Sequence, residues 1–366
     1  MRRFVLSSLC TFLLGGLLLT SACGDDDSAP ADAGLDQFVS MDDGSIPEDM
    51  SDTPDEGVGT DAGPDLGTPC NGPPGLYIDA LCTVIADDVE PFDPRYWLWT
   101  DGFDKQRYIS LPAGSQIDTT DPDNWIYPVG TRVWKNFLTP SGETKLETRY
   151  FEKMAEGSGP DFWTMQTFVW NVAQTAVEEV LGGMDNVLGT EHDIPSQAQC
   201  IECHASPGRA DVINGFSAIQ LNHSGAGLSL DQLNTRGLLT ETISVADAVV
   251  ASDGDSRYAA GMGYLHANCG MCHGNAGARA GMQLWSNVGV ESFAESNVAT
   301  NAVDVPGAWM LMGTTHRIAS GSPDESSVFV RASSRALGTQ MPPLGTEMVD
   351  ADGLATLRTF IDALGE

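Results

Sequence analysis

The chain has 366 residues, is 42% hydrophobic and carries a formal net charge of −33. That length allows two or three domains with a sizeable core. The charge excludes nucleic acid as a partner, because so acidic a surface cannot neutralise phosphates.

Arg2 and Arg3 precede an apolar run over residues 4–19, and the sequence then reads Leu19-Thr20-Ser21-Ala22-Cys23. This pattern predicts a signal peptide over 1–22 and a lipid-modified Cys23 of the bacterial lipoprotein kind. Gly24 rather than Asp follows, which favours the outer membrane over inner-membrane retention. No other stretch is apolar and long enough to span a bilayer. Residues 24–67 hold fourteen Asp or Glu and no Lys or Arg. With Cys23 they make 23–69 a disordered acidic tether, with a reach of about 35–40 Å.

Residues 70–185 read as a β domain. Strands are expected at 107–111, 131–137, 145–151 and 162–170, separated by turn signals at the spacing of a small sandwich. Six of the eight tryptophans lie between positions 97 and 170. Such a set could build a carbohydrate platform, but an aromatic core is the more economical reading. Beyond it the pattern changes to short helical segments between Gly-rich loops. Ser229 caps one helix, residues 255–268 fit another, and a final helix turns Leu354, Leu357, Ile361 and Leu364 inward. The boundaries expected here are a heme 1 segment over 186–245 and a heme 2 domain over 246–366.

Those heme labels come from two strings, QCIECHA at 199–205 and NCGMCHG at 268–274. Each is C-x-x-C-H, the unit of c-type heme attachment. Two thiols on one helical turn can each add to a porphyrin vinyl group, and the adjacent His can then bind the iron. Two C-x-x-C pairs could also hold one zinc, but here each pair has its own His. A thioredoxin-like redox pair needs one motif in a βαβ context, which is absent. The expected cofactors are therefore two covalently attached hemes. Cys200 and Cys203 hold the first with His204 as proximal ligand; Cys269 and Cys272 hold the second with His273. Cys10 leaves with the signal peptide and Cys23 takes lipid, so Cys70 and Cys82 remain to form a disulfide.

Each iron then has one position left, and its occupant decides between electron carrier and catalyst. Met341, in Gln340-Met341-Pro342-Pro343, is the candidate for heme 2. For heme 1 the candidates are His223 and His266, the latter one helical turn before Cys269. His192 and His316 are weaker, and Arg317 could pair with a heme propionate.

The chain resembles a bacterial family of diheme c-type cytochromes. The resemblance rests on LWTDG at 98–102, YISLP at 108–112, WIYPVGTRVWK at 125–135, ETR at 147–149 and VWN at 169–171. QCIECH, YLHANCGMCH, HRIASGSPDES at 316–326 and MPPLGTEMVDADG at 341–353 extend it. It implies an N-terminal β domain followed by a heme-bearing region, exported from the cytoplasm, and it supports Met341 as a ligand. The expected fold is α+β and multidomain: a sandwich-like β domain, then an α-helical cytochrome c-like diheme region. The expected function is electron transfer between periplasmic or outer-membrane redox partners, with a basic partner surface matching the acidic chain. The alternatives are a diheme enzyme of peroxidase or dehydrogenase type with one open iron, and a binding module built on the aromatic β domain.

Overall fold

The computed structural model describes residues 68–366 except 206–208, 275–278 and 308–312. The signal peptide, Cys23 and nearly all of the acidic tether lie outside the described residues. None of the described helices is long and apolar enough to cross a membrane.

Six strands form one antiparallel sheet: β1 (Glu90–Pro91), β2 (Asp104–Ser110), β3 (Arg132–Leu138), β4 (Lys145–Lys153), β5 (Trp163–Trp170) and β6 (Val177–Glu179). Their order in the sheet is their order in the chain. The expected sandwich is therefore corrected to a single sheet. Each strand pairs with its chain neighbour, and among the described residues no strand is left over for a second layer.

Both faces of this sheet are nevertheless covered. Trp134, Tyr150, Phe168 and Trp170 pack beneath Leu76, Tyr77, Cys82 and Val89. That lid is closed by the Cys70–Cys82 disulfide, with a Cα–Cα distance of 5.5 Å. On the opposite face, Ile109, Val133, Phe151 and Met165 meet Val212, Ile213, Phe216 and Leu221 from the segment after the first motif. Burial on both sides explains why β3 reads RVWKNFL rather than a clean alternation. Four of the six tryptophans in this region, Trp125, Trp134, Trp163 and Trp170, are buried. They build core, and a stacking platform for a polymer is not what they form.

The α-helical cytochrome c-like region is also corrected. Among the described residues, α1 (Cys200–His204), α2 (Ala218–Leu221), α3 (Leu230–Thr235), α5 (Asn297–Asn301) and α6 (Ser327–Ala332) run four to six residues. Only α4 (Ser256–Asn268) and α7 (Ala351–Ala363) reach thirteen. Helices of one turn cannot stand by themselves; Gly, Pro and Ser interrupt the chain too often for longer ones, and the short pieces are held by the sheet and by loops. The two long helices cross where Gly261 faces Phe360, and a Cβ at 261 would lie 2.4 Å from that ring. Both carry sequence-readable caps: Asp255 accepts from Arg257 N–H, and Asp350 from Gly353 N–H.

The sheet and the motif-bearing half are stitched together. Leu228 N–H donates to Pro91 O at 2.8 Å, and Ile117 N–H to Leu238 O at 2.8 Å. Gly227, at φ +81°, makes the first of these approaches possible, since a Cβ there would sit 2.5 Å from Pro91 O. A buried ion pair does the same work: Lys153 Nζ on β4 lies 2.7 Å from Asp211 Oδ2, with both side chains 1% exposed.

Candidate functional site

The first motif is α1 itself, so Cys200 and Cys203 share one turn and His204 follows at its end. A capping box between Ser196 and Gln199 starts the chain into this turn. His204 Nδ1 lies 2.6 Å from Val212 O. A carbonyl can only accept, so Nδ1 carries the proton and Nε2 keeps a free lone pair. Phe151 stacks edge-on against the ring at 4.6 Å. Burial pushes the His204 pKa down to about 3, against the opposing pull of Val212 O, so the imidazole is neutral, as a ligand must be.

The second motif follows α4 directly. His273 N–H donates to Cys269 O at 2.9 Å and Cys272 N–H to the same oxygen at 3.1 Å, so residues 269–273 close one tight turn. Gly270 is needed there, because a Cβ would meet His266 O at 2.7 Å. His273 Nδ1 lies 3.0 Å from Arg279 O, which places a proton on Nδ1, and the Met282 backbone also reaches the ring. Burial raises the Cys269 thiol to about 12.

The two motifs abut. Cys203 and Cys272 are neighbours: the Cys272 thiol, against burial, holds Cys203 below its ordinary pKa. Glu202, inside the first motif, receives Arg279 from beyond the second at 2.6 Å. Its backbone oxygen accepts from Arg279 Nη2 at 3.0 Å and from Cys272 Sγ at 3.3 Å.

Above the first motif lies a cleft, partly open to solvent, lined by Cys203, His204, Phe151, Met271, Trp285 and His266 among others. His266 enters it from α4. The side chain is 1% exposed, and the ring lies 4.0 Å from that of Trp285. Its Nδ1 accepts from Ser286 N–H at 3.2 Å, while its Nε2 is buried with no hydrogen-bond partner. His223, the other candidate, does not line the cleft; its Nδ1 accepts from Gly225 N–H at 3.0 Å.

A covalently held heme requires two thiols on one turn, an imidazole with a free nitrogen beside them, and room for the macrocycle. The first motif offers the thiols and the oriented imidazole, and Cys203 and His204 face a cleft partly open to solvent. The orphaned Nε2 of His266 is a further mark of a missing occupant. The second motif offers the thiols and the oriented imidazole. No family model, no curated protein and no solved structure matches this chain. Among the described residues no three His, Cys, Asp or Glu side chains gather to hold a metal ion; a heme iron asks the protein for only one or two.

Met341 is half-buried, and its N–H donates to Arg331 O at 3.0 Å. The loop beyond Met341 is fixed from the far end of the chain. Asp101 accepts from Glu347 N–H at 2.9 Å and Met348 N–H at 2.8 Å. Trp99 N–H donates to Asn268 Oδ1 at 2.7 Å, beside Cys269. The LWTDG string is thus a strap holding both the second motif and the methionine loop.

The weaker candidates have other tasks. His192 Nε2 is bonded to buried Glu147 at 2.8 Å, and His316 Nδ1 to Thr315 Oγ1 at 2.8 Å. Arg317, expected to meet a propionate, donates to Asn301 O at 2.7 Å and Gly281 O at 3.0 Å. The cleft also contains charges that the sequence did not reveal: Arg107, Lys135 and Arg149, from β2, β3 and β4.

Proposed function

We propose that this chain carries two covalently attached c-type hemes and passes electrons between redox partners of the bacterial cell envelope. The observation that carries the reading is the matching state of the two motifs. Each presents its thiols on one turn, beside an imidazole whose Nδ1 is held by a backbone carbonyl. An Nε2 so oriented is what an iron needs from a proximal histidine.

In this reading each thiol adds across one vinyl group, sulfur to the inner carbon and hydrogen to the outer, with nothing leaving. Cys200 and Cys203 do so at the first site and Cys269 and Cys272 at the second. His204 and His273 supply the proximal nitrogens, and Met341 the thioether at the second iron, which raises its potential relative to a bis-His site. Bound heme supplies one-electron chemistry at iron. The neighbouring positions of the two motifs, joined by Glu202 with Arg279 and Cys272, support transfer in series between the two hemes. The acidic chain favours a basic redox partner in a weak, transient encounter. The lipid anchor at Cys23 and the resemblance to the diheme family belong to the same proposal.

One observation favours a second reading, an enzyme with one open iron. Because Nδ1 of His266 accepts from Ser286 N–H, its proton stands on Nε2. His266 is then a hydrogen-bond donor rather than an iron ligand, and the first iron keeps a free position. Carbon monoxide added to the reduced, heme-loaded protein separates the two. No spectral change supports two closed irons and electron transfer. Uptake at one iron, altered by His266→Leu, supports the open site. A chain that retains no heme after denaturation refutes both.

A further inference from the structure

Arg107, Lys135 and Arg149 stand directly opposite one another across three adjacent strands, since Arg107 pairs with Lys135 and Lys135 with Arg149 in the sheet register. Side chains so placed share one face with Cβ atoms about 5 Å apart, and like charges there repel. All three line the cleft of the first motif.

The compensation within the protein is partial. Arg149 is paired with Glu147 at 2.6 Å, but that carboxylate also takes His192. Arg107 has one contact of 3.4 Å to a half-exposed Asp93. Lys135 has no carboxylate within ion-pair distance among the described residues, and its Nζ rests 4.5 Å from the Phe137 ring. Burial, then the neighbouring Arg107 and Arg149, push the Lys135 pKa well below its ordinary value, a sign that this charge lacks its partner. A row of three cations, Arg107 buried and Lys135 and Arg149 half-buried, is costly beside a cleft unless an anion completes it.

We infer that the row Arg107–Lys135–Arg149 is the seat of the two propionates of the heme held by Cys200 and Cys203. The inference rests on the diheme reading above. It gives the sheet a function, as the electrostatic wall of the first heme site. Two carboxylates match the surplus charge of the row, and Lys135, at its centre, is the residue with most to gain. Cations at this position also favour the reduced iron, because they offset the negative charge that reduction adds.

The test uses the full chain, matured with its hemes, and compares Lys135→Met and Lys135→Arg with the wild type. Covalent heme per chain, the two midpoint potentials and the propionate bending bands in resonance Raman are measured. The expected result for Lys135→Met is two hemes per chain, one lowered potential, one unchanged potential and shifted propionate bands; Lys135→Arg stays close to wild type. Lys135→Met is also placed in a Cys200→Ala/Cys203→Ala background. There the same change should raise the melting temperature, because only repulsion is removed. Two hemes with unmoved potentials and bands overturn the inference. So does a wild-type potential that follows added phosphate while the bands stay fixed, which would make the row a site for a free oxyanion. A Lys135→Met chain that melts lower in the background without the first heme overturns it as well. Absence of covalent heme from the wild type is a different failure, that of the diheme reading itself.

Discussion

Asp211→Asn tests how strongly the sheet and the first motif are joined. The Asp211 carboxylate receives Lys153 Nζ at 2.8 and 2.7 Å, Trp163 Nε1 at 2.7 Å and Tyr127 N–H at 3.0 Å, all in a buried setting. Replacing one partner of such a pair leaves the other buried and uncompensated, which costs about 3–5 kcal/mol. The amide keeps the shape and one acceptor, so the loss is of charge rather than of packing. At about 2 °C per kcal/mol for a unit of this size, the melting temperature should fall by roughly 6–10 °C. Val212, which holds His204 Nδ1, is the next residue, so a heme-loaded variant should also show a disturbed first-heme spectrum. Calorimetric melts of the full chain give the stability readout. The double variant Lys153→Met/Asp211→Asn should recover part of the loss, since it removes the stranded ammonium while the amide oxygen can still accept from Trp163 Nε1 or Tyr127 N–H. An Asp211→Asn chain melting within about 1 °C of wild type would refute the reasoning.

Removing the disulfide with Cys70→Ser/Cys82→Ser should cost about 3 kcal/mol, from the entropy of the short loop it closes, and chemical denaturation with and without reductant measures it. Asp79 sits within that loop; burial raises its pKa, but hydrogen bonds from Val84 N–H, Thr83 and Leu81 N–H outweigh burial and hold it at about 2. Its folded value is below its unfolded value near 3.8, so its contribution is present above about pH 4 and lost as the pH falls toward 2. Melts between pH 5 and 2 should therefore show a smaller acid loss in Asp79→Asn than in wild type. Asp101→Ala removes two hydrogen bonds to a carboxylate, worth about 1.5–3 kcal/mol each. Hydrogen exchange at Glu347 and Met348 should accelerate at least about 10-fold, and in the loaded protein the methionine–iron charge-transfer band should weaken.

The sequence made the local features legible. The four main strands, the cap at Ser229, the Cys70–Cys82 bridge and both motifs depend on residues close together in the chain, and period and spacing report such features directly. The single sheet was not legible, because strand runs at regular intervals look alike whether the strands form one sheet or two. The helical extent of the C-terminal half was over-read for a related reason: apolar residues at helical spacing in a Gly-rich stretch mark single turns as well as long helices. The placement of His266 beside the first cleft followed from its position one turn before Cys269. The cation row had no such signal. Arg107, Lys135 and Arg149 are separated by tens of residues, and only the strand register sets them in line. Nor could the sequence relate Arg317 to Asn301, a pairing between a loop and the last residue of α5.

The strap from Trp99 to Asp101 has a consequence for timing. Its bonds to Met348 span 247 positions, and those to Asn268 span 169. The sheet, by contrast, closes through neighbouring strands. Loop-closure cost rises by about 0.6 kcal/mol for each doubling of length, so the long contact carries roughly 2 kcal/mol more than a 20-residue turn. The methionine loop is therefore set late, after most of the chain has been made and the sheet stands. A second-site iron would meet its histidine first, within a five-residue turn, and its sulfur only when the two ends of the fold have met.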